Sequence, residues 1–336
     1  MIETVSTMNR SCARFTTDKQ SARQLSRGSR DFVLVAHGGA GDFSQVRPRQ
    51  IAIRRVAMTK AMEAGYKVLA RAGTSLDAVE TTISVLEDSG AFVAGRGAFY
   101  TRDGIPELDS AIMDGRTLSA GAVASVKRIA NPIRLARLVM EKTRHVLLVG
   151  EGAEQFAKLQ GIDLVPPYYF FSENEWKRYR DLKAADAKGK SALATGSQVH
   201  GTVGVVALDQ AGNLAAGTST GGTAWKMPGR VADSALIGAG TYANNDSCAI
   251  SATGVGEFFI RNVVAADISA RVRYLHLSLE EAANDVVMKE LVAQHGEGGI
   301  IGLDRQGRVA TVFNSDGMIR AVVRADGAFT IKISKQ

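Results

Sequence analysis

Apolar residues first gather at Phe32-Val33-Leu34-Val35-Ala36, a short run ending in the glycine-rich turn His37-Gly38-Gly39-Ala40-Gly41. An apolar run bounded by turn residues predicts a buried strand. The period then changes. Ile51, Val56, Met58, Met62 and Val68 fit an amphipathic helix that stops at Gly73, and Thr74-Ser75 caps a second helix to about Glu87. Asn131-Pro132 predicts an N-cap with proline at the first helical position, opening a helix to about Lys142. A strand over 146–149 and a helix over 151–159 follow. Residues 172–201 are charged and rich in Ala, Lys, Gly and Ser, with no core-forming pattern. They are expected to be a flexible linker, longer than compact domains usually tolerate without a purpose.

Strand patterning resumes abruptly at Thr202. Val205-Val206-Ala207-Leu208-Asp209-Gln210-Ala211-Gly212-Asn213-Leu214-Ala215-Ala216 resembles Ile300-Ile301-Gly302-Leu303-Asp304-Arg305-Gln306-Gly307-Arg308-Val309-Ala310-Thr311. Each reads as an apolar strand, an Asp-x-x-Gly turn and a returning strand. Helical segments over about 256–273 and 278–294 lie between them. The pattern predicts a layered α+β body. Two sheets between helix layers would bury these strands economically, although periodicity alone does not require that arrangement.

Composition narrows the class. The 336 residues are 45% hydrophobic, without an apolar run of membrane length, as expected of a soluble globular protein. The net charge of +7 suggests an acidic partner until its distribution is read. Arg10, Arg14, Lys19, Arg23, Arg27 and Arg30 against Glu3 and Asp18 place six minus two, or +4, in residues 1–30. The remaining body is only weakly basic, so neither nucleic acid nor membrane is an expected partner. Residues 1–31 lack the apolar segment of a secretory signal and are expected to be a disordered basic tail; Ser/Arg-rich, acid-poor composition also suits an organellar targeting segment. Cys12 and Cys248 cannot build a disulfide framework, and Cys248 lies in an apolar stretch that suits a buried thiol. A cytoplasmic enzyme is the expectation.

Several familiar motifs fail. No G-x-G-x-x-G, P-loop or H-E-x-x-H is present. Gly217-Thr218-Ser219-Thr220-Gly221 matches G-x-S-x-G, but the Gly222-Thr223-Ala224-Trp225-Lys226-Met227-Pro228-Gly229 that follows cannot form the helix of a nucleophile elbow. A downstream catalytic histidine would have to be His276 or His295, and neither sits at a glycine-rich loop.

The informative point is the junction His200-Gly201-Thr202-Val203-Gly204-Val205, where a polar tether runs into a strand whose first residue carries a hydroxyl. Scission before Thr202 would put a hydroxyl and a free α-amine on one residue. Such an amine titrates near ~7.7–8.0 and can act as a general base near neutral pH. Gly201 suits the attacked position because it lacks a side chain and tolerates strained backbone. A plain strand beginning with a β-branched residue is equally common, and the junction alone favours that reading.

The surroundings change this. His37-Gly38-Gly39-Ala40-Gly41, Glu107-Leu108-Asp109 with Met113-Asp114-Gly115, Gly121-Ala122-Val123-Ala124, Gly150-Glu151-Gly152-Ala153-Glu154, Gly201-Thr202-Val203-Gly204 and Thr218-Ser219-Thr220-Gly221-Gly222 occur in order. They continue through Pro228-Gly229-Arg230-Val231-Ala232-Asp233-Ser234, Gly238-Ala239-Gly240-Thr241-Tyr242-Ala243, Thr253-Gly254-Val255-Gly256-Glu257 and Phe313-Asn314-Ser315-Asp316-Gly317-Met318. With these motifs the chain resembles the plant-type asparaginase and isoaspartyl peptidase family of N-terminal-nucleophile hydrolases over nearly all of residues 32–324. The resemblance implies a four-layer αββα sandwich, an α subunit of residues 32–201, a β subunit of residues 202–336, and a dimer of αβ heterodimers. It implies Thr202 as nucleophile and Thr220 as the group tuning its hydroxyl and amine. Arg230 would grip the substrate α-carboxylate by a fork-to-carboxylate pairing. Asp233 would accept the α-ammonium, and Val93 would border the substrate. Thr253 and Gly254 would supply the oxyanion hole, beside a helix whose first turn directs donors at developing charge. Backbone carbonyls of Leu86, Glu87, Ser89, Phe92, Ala94 and Arg96 would hold a structural sodium ion, with no cofactor for catalysis.

One departure bears on specificity. Relatives with asparaginase activity commonly carry Asn-Ala-Gly after the aromatic of that loop, whereas this chain reads Phe92-Val93-Ala94-Gly95. Val93 replaces a hydrogen-bonding side chain with an apolar one. The expectation is a preference for β-aspartyl dipeptides with an apolar second residue over free asparagine, with Trp225 and Met227 adding to the leaving-group pocket. Competing expectations are a chiefly asparaginase or aspartylglucosaminidase-like amidase and, from another class, an unprocessed homologue that binds aspartyl ligands without cutting them.

Overall fold

The computed structural model describes residues 13–14, 31–44, 46–189 and 201–334. Its strands are β1 (Ala13–Arg14), β2 (Val33–Gly41), β3 (Leu108–Asp114), β4 (Ala120–Val126), β5 (Leu147–Val149), β6 (Val203–Leu208), β7 (Leu214–Thr220), β8 (Thr241–Ala243), β9 (Cys248–Gly254), β10 (Gly298–Asp304), β11 (Val309–Phe313), β12 (Gly317–Arg324) and β13 (Ala328–Ser334). Its helices are α1 (Pro48–Ala70), α2 (Ser75–Asp88), α3 (Pro132–Lys142), α4 (Gly150–Leu159), α5 (Glu173–Asp186), α6 (Gly256–Asn262), α7 (Val264–Tyr274) and α8 (Leu279–Asn284), which continues through a π-turn at Asp285–Glu290 into α9 (Leu291–Ala293).

The strands form two sheets, one ordered β1-β13-β12-β2-β6-β7-β3-β4-β5 and the other β11-β10-β9-β8. The two Asp-x-x-Gly hairpins are present, β6–β7 in the larger sheet and β10–β11 in the smaller. Three apolar clusters hold the layers. Leu34, Val123, Val205 and Ile319 face Met58, Leu69, Ile83 and Ile133 of α1–α3. Ile250, Ile300 and Val312 face Phe259, Ile268 and Val286 on the other side of the smaller sheet. Between the sheets, Val35, Val206 and Ala216 meet Ala249, Ile301 and Phe313.

Helix starts follow local chemistry. Thr74 and Asp77 form a reciprocal capping box, with Asp77 N–H donating to Thr74 Oγ1 at 3.1 Å and Thr74 N–H to Asp77 Oδ2 at 3.3 Å. Pro132 opens α3 as expected, but Asn131 does not cap it with its side chain. Its amide instead donates to Asp88 Oδ1 at 2.9 Å, tying α3 to the end of α2. The segment 256–273 is two helices rather than one. Val263 takes a left-handed φ of 48°, and Ala265 and Ala266 donate to the carbonyls of Ala239 and Gly238 at 3.1 and 2.8 Å. Acceptors from another part of the fold satisfy those donors, so the helix restarts.

The expected linker also needs correction. Residues 173–186 are helical, with Tyr179 buried and Trp176 stacked on it at 5.0 Å. The charged residues mask two aromatics three positions apart, a helical spacing. Residues 190–200 lie outside the described residues. So does the expected tail apart from residue 31 and Ala13–Arg14, which pair with β13.

Candidate active site

Residues that face the space between the sheets alternate along each strand, and each strand changes character along its length. Val33 and Val35 on β2 give way to His37. Leu208 and Val206 on β6 give way to Gly204 and, just ahead of the strand, Thr202. Leu214 and Ala216 on β7 lead to Thr218 and Thr220, and Met113 on β3 leads to Ala111 and Asp109. On the facing sheet, Ala243 precedes Thr241 in space and Ala249 leads to Ser251 and Thr253. One end of the inter-sheet layer is hydrocarbon and the other is hydroxyl and carboxyl. A surface hollow lined by Asp31, Leu208, Asp209, Gly212, Arg305 and Gln306 lies at the apolar end, away from this cluster.

The polar end is internally bonded. His37 Nε2 lies 3.0 Å from Ser251 Oγ, which lies 2.7 Å from Thr218 Oγ1, which lies 2.6 Å from Thr241 Oγ1. Burial pushes the His37 imidazole down to about 3, opposed by hydrogen bonding with the Thr202 backbone, so the ring is neutral at ordinary pH.

Thr202 and Thr220 meet directly, Oγ1 to Oγ1, at 3.0 Å. Thr220 Oγ1 also accepts the Gly222 N–H at 3.0 Å, which fixes its position beside Thr202. Val93 binds both flanks: its N–H donates to Gly201 O at 2.8 Å, and its carbonyl accepts from Gly221 N–H at 2.7 Å. Its side chain lies against Gly201, where an added β-carbon would fall 2.4 Å from Val93 Cγ2. Only glycine fits there. Val93 is therefore buried against the chain's own backbone, not presented as an open apolar surface.

Arg230 and Asp233 are also brought together. A β-carbon on Gly256 would sit 2.7 Å from Asp233 Oδ1 and 3.0 Å from Arg230 Nη2, so the start of α6 leaves a gap beside both groups. Arg230 Nε and Nη2 donate to Glu257 Oε1 at 3.0 and 2.9 Å. Asp233 Oδ2 is buried without a hydrogen-bond partner among the described residues. Burial pushes its carboxyl up to about 7, against the opposing pull of Arg230. This pocket adjoins the threonine pair, since a β-carbon on Gly222 would lie 3.3 Å from Arg230 Nη1.

The structure adds residues to which the sequence motifs assigned no role. Glu107 Oε2 accepts the Gly229 N–H at 2.8 Å and Asp109 Oδ2 accepts the Ala232 N–H at 3.0 Å. These two buried carboxylates hook the loop on both sides of Arg230. Lys226 Nζ donates to Glu107 O at 2.9 Å and lies 3.9 Å from Asp109 Oδ2. Two carboxylates two positions apart, entering an apolar strand, were the available signal: buried charges need partners. Trp225 belongs elsewhere. It is buried beside Tyr179 and Tyr100, and Met227 is exposed, so the two do not share the surface expected of a leaving-group pocket.

Thr253 lies at the polar end of β9, with Oγ1 buried and without a partner among the described residues. An unpaired buried hydroxyl costs about 1–3 kcal/mol, an expense often retained where a ligand completes the bond. Gly254 is in close contact with the 297–298 backbone, an added β-carbon falling 2.4 Å from Glu297 O. The helix beyond is short, Gly256–Asn262, so it contributes less than the expected oriented terminus.

Two carbonyls of the 86–96 segment pack closely on glycines. Phe92 O would lie 1.9 Å from a β-carbon on Gly97, and Glu87 O 2.5 Å from one on Gly95. Leu86 and Ala94 carbonyls accept bonds within the loop, from Ser89 Oγ at 2.7 Å and Gly97 N–H at 3.2 Å.

The fold gathers a paired hydroxyl, a cation–carboxylate pocket and a buried hydroxyl without a partner among the described residues, and the family to which its sequence belongs makes this chain a hydrolase. The sequence profile of the asparaginase family matches residues 30–333, and the chain belongs to that family. It is 49% identical over 297 residues to the isoaspartyl peptidase of Salmonella typhimurium, spanning 86% of this chain and 94% of that relative. The isoaspartyl peptidase of Escherichia coli is 48% identical over 297 residues, 86% of this chain and 92% of the relative. A plant-type L-asparaginase of Pyrobaculum calidifontis is 40% identical over 290 residues, 85% and 95% of the two chains.

Proposed function

We propose that this chain cuts itself between Gly201 and Thr202 and then hydrolyses β-aspartyl dipeptides, with some action on L-asparagine. The carrying observation is the Thr202–Thr220 hydroxyl contact of 3.0 Å directly after a glycine whose carbonyl is held at 2.8 Å by Val93 N–H. In the first step Thr202 Oγ attacks the Gly201 carbonyl carbon. The C–N bond breaks as the hydroxyl proton passes to the amide nitrogen. Water then hydrolyses the resulting ester, leaving a Gly201 carboxylate and a free Thr202 α-amine.

The same hydroxyl, deprotonated by that amine, attacks the β-carbonyl of a substrate. Arg230 pairs with the substrate α-carboxylate in place of, or beside, Glu257, and Asp233 accepts the α-ammonium. Those two contacts leave the β-carbonyl as the amide in reach. The tetrahedral oxyanion is received by the Thr253 hydroxyl and Gly254 N–H. The amine returns its proton to the leaving nitrogen, and water releases aspartate from the acyl-threonine. Once Gly201 has departed, Val93 fronts the vacated space, which supports the preference for an apolar leaving residue.

The three apolar clusters support an αββα sandwich; the resemblance implies a structural sodium ion on the carbonyls of Leu86, Glu87, Ser89, Phe92, Ala94 and Arg96, among which Leu86 and Ala94 already accept local hydrogen bonds. The family resemblance supports a dimer of αβ units. Denaturing electrophoresis with mass spectrometry tests self-cleavage: pieces of 201 and 135 residues (336 − 201) are expected. Thr202→Ala is expected to stay intact and inactive. A wild-type enzyme that hydrolyses substrate while remaining a single chain would overturn the proposal. Specificity constants for β-Asp-Leu, β-Asp-Lys and asparagine test the preference, which fails if asparagine leads.

A further inference from the structure

Helix α5 is the last described element before the junction at Gly201, and it leans on both loops of the candidate site. Trp176 and Tyr179 stack on each other at 5.0 Å with an interplanar angle of 22°. Tyr179 lies 5.5 Å from Trp225, centroid to centroid, and Tyr100 lies 5.4 Å from Trp176 and 5.9 Å from Tyr179. Arg178 sits over the Phe99 ring at 5.1 Å. Glu175 also feels the charge of Arg54 on α1, whose Nε donates to Ala91 O at 3.2 Å. One short, largely polar helix thus covers the 91–102 segment and touches the 222–230 loop.

Trp225 is the link to substrate binding. It holds a left-handed φ of 64°, a conformation that bulky residues rarely adopt, so its surroundings must stabilise it. Its N–H donates to Tyr100 O at 3.1 Å, and the next carbonyl, of Lys226, accepts from Arg102 N–H at 3.0 Å. The reversal at Trp225 sends the indole toward α5 and the Lys226 side chain to the opposite side. There Lys226 Nζ donates to Glu107 O at 2.9 Å and, with Arg230, packs around Gly222. Removing the aromatic support would release the turn that places Lys226 and, four residues on, Arg230.

We propose that α5 stays seated on the β chain after the Gly201–Thr202 bond is cut, and that Trp176 and Tyr179, through Trp225, are positioning residues for Arg230. The inference rests on the proposed self-cleavage, because only then does α5 lose its covalent path through Gly201 and meet the β chain through contacts alone. It assigns substrate affinity in part to a segment whose composition suggested only a tether.

The test uses the full-length chain. Trp176→Ala/Tyr179→Ala is expected to cleave itself like wild type, to raise KM for a β-aspartyl dipeptide about tenfold, and to leave kcat within about twofold, the size expected when one charge-assisted contact loosens. Tyr179→Phe keeps the ring and should retain the wild-type KM. Limited proteolysis of mature wild type, read by intact mass, should leave the α chain uncut between 173 and 186. A cleaved, active double variant with unchanged KM overturns this inference alone. So does a mature wild type trimmed back beyond residue 172 without a change in KM, a measurement that does not depend on the variant folding. An uncut, inactive wild type overturns the proposed function and this inference together.

Discussion

At the scale of single residues, two buried polar atoms of the site, Asp233 Oδ2 and Thr253 Oγ1, have no hydrogen-bond partner among the described residues. Asp233 is the clearest case, with burial lifting its carboxyl to about 7 from an ordinary 3.8. The folded chain therefore binds more protons than the unfolded chain between those values, and stability contributed here falls as pH rises through that window. Asp233→Asn should raise the melting temperature at pH 8, with the difference fading toward pH 4, while abolishing hydrolysis. The proposed contact with the substrate α-ammonium needs the ionised form, so on that proposal KM for a β-aspartyl dipeptide should climb as pH falls below about 7. The bound ammonium would favour the carboxylate, so kcat should not carry that limb; a pH profile separating kcat from KM checks the assignment. Thr253 makes a similar case for the oxyanion. Thr253→Val keeps the shape, removes the hydroxyl, and should lower kcat by roughly 10²–10³ with KM little changed, measured by steady-state kinetics.

At the scale of elements, β3 does more than fill the sheet. Glu107 and Asp109 accept N–H groups of Gly229 and Ala232, so a buried strand end fixes an exposed loop that carries Arg230 between the hooks. Asp109 also accepts Ser125 N–H at 2.8 Å, and burial raises its carboxyl against the pull of Lys226. Asp109→Asn weakens a charge-assisted bond worth about 1.5–3 kcal/mol and leaves Lys226 without its counter-charge. An increase in KM on the order of tenfold is expected, with self-cleavage retained because Thr202 and Thr220 are untouched. Kinetics on the variant, beside a gel of its processing, decide this. The hooks and the α5 seat share a logic, since both hold the 222–230 loop by partners distant in sequence. Such partners leave weak local signals, which is why 173–186 reads as a tether until the aromatic spacing at Trp176 and Tyr179 is matched with Tyr100 and Trp225.

At the scale of the whole molecule, the strand order decides what cleavage can do. In the larger sheet β12, from beyond the junction, lies beside β2, from before it; β2 lies beside β6, and β7 beside β3. Strands from the two sides of Gly201 thus alternate, so separating the pieces would break main-chain ladders and expose the apolar layers. After cleavage the two pieces should co-elute on gel filtration in native buffer and part only in denaturant; separate elution in native buffer would contradict the arrangement. Much of this molecule was legible in the chain itself. The buried run at Phe32–Ala36, the two Asp-x-x-Gly hairpins and the Thr74 cap are local patterns, governed by steric preference, periodicity and neighbouring hydrogen bonds. Ordered motifs likewise marked Arg230, Asp233 and Thr253 before any geometry was known. Packing alone decided that Val93 is buried on Gly201, that Val263 breaks a helix, that Trp225 turns toward α5, and that Asp109 holds the Arg230 loop. Each depends on atoms brought together from far along the chain, and their burial and hydrogen bonding override what nearest neighbours prefer.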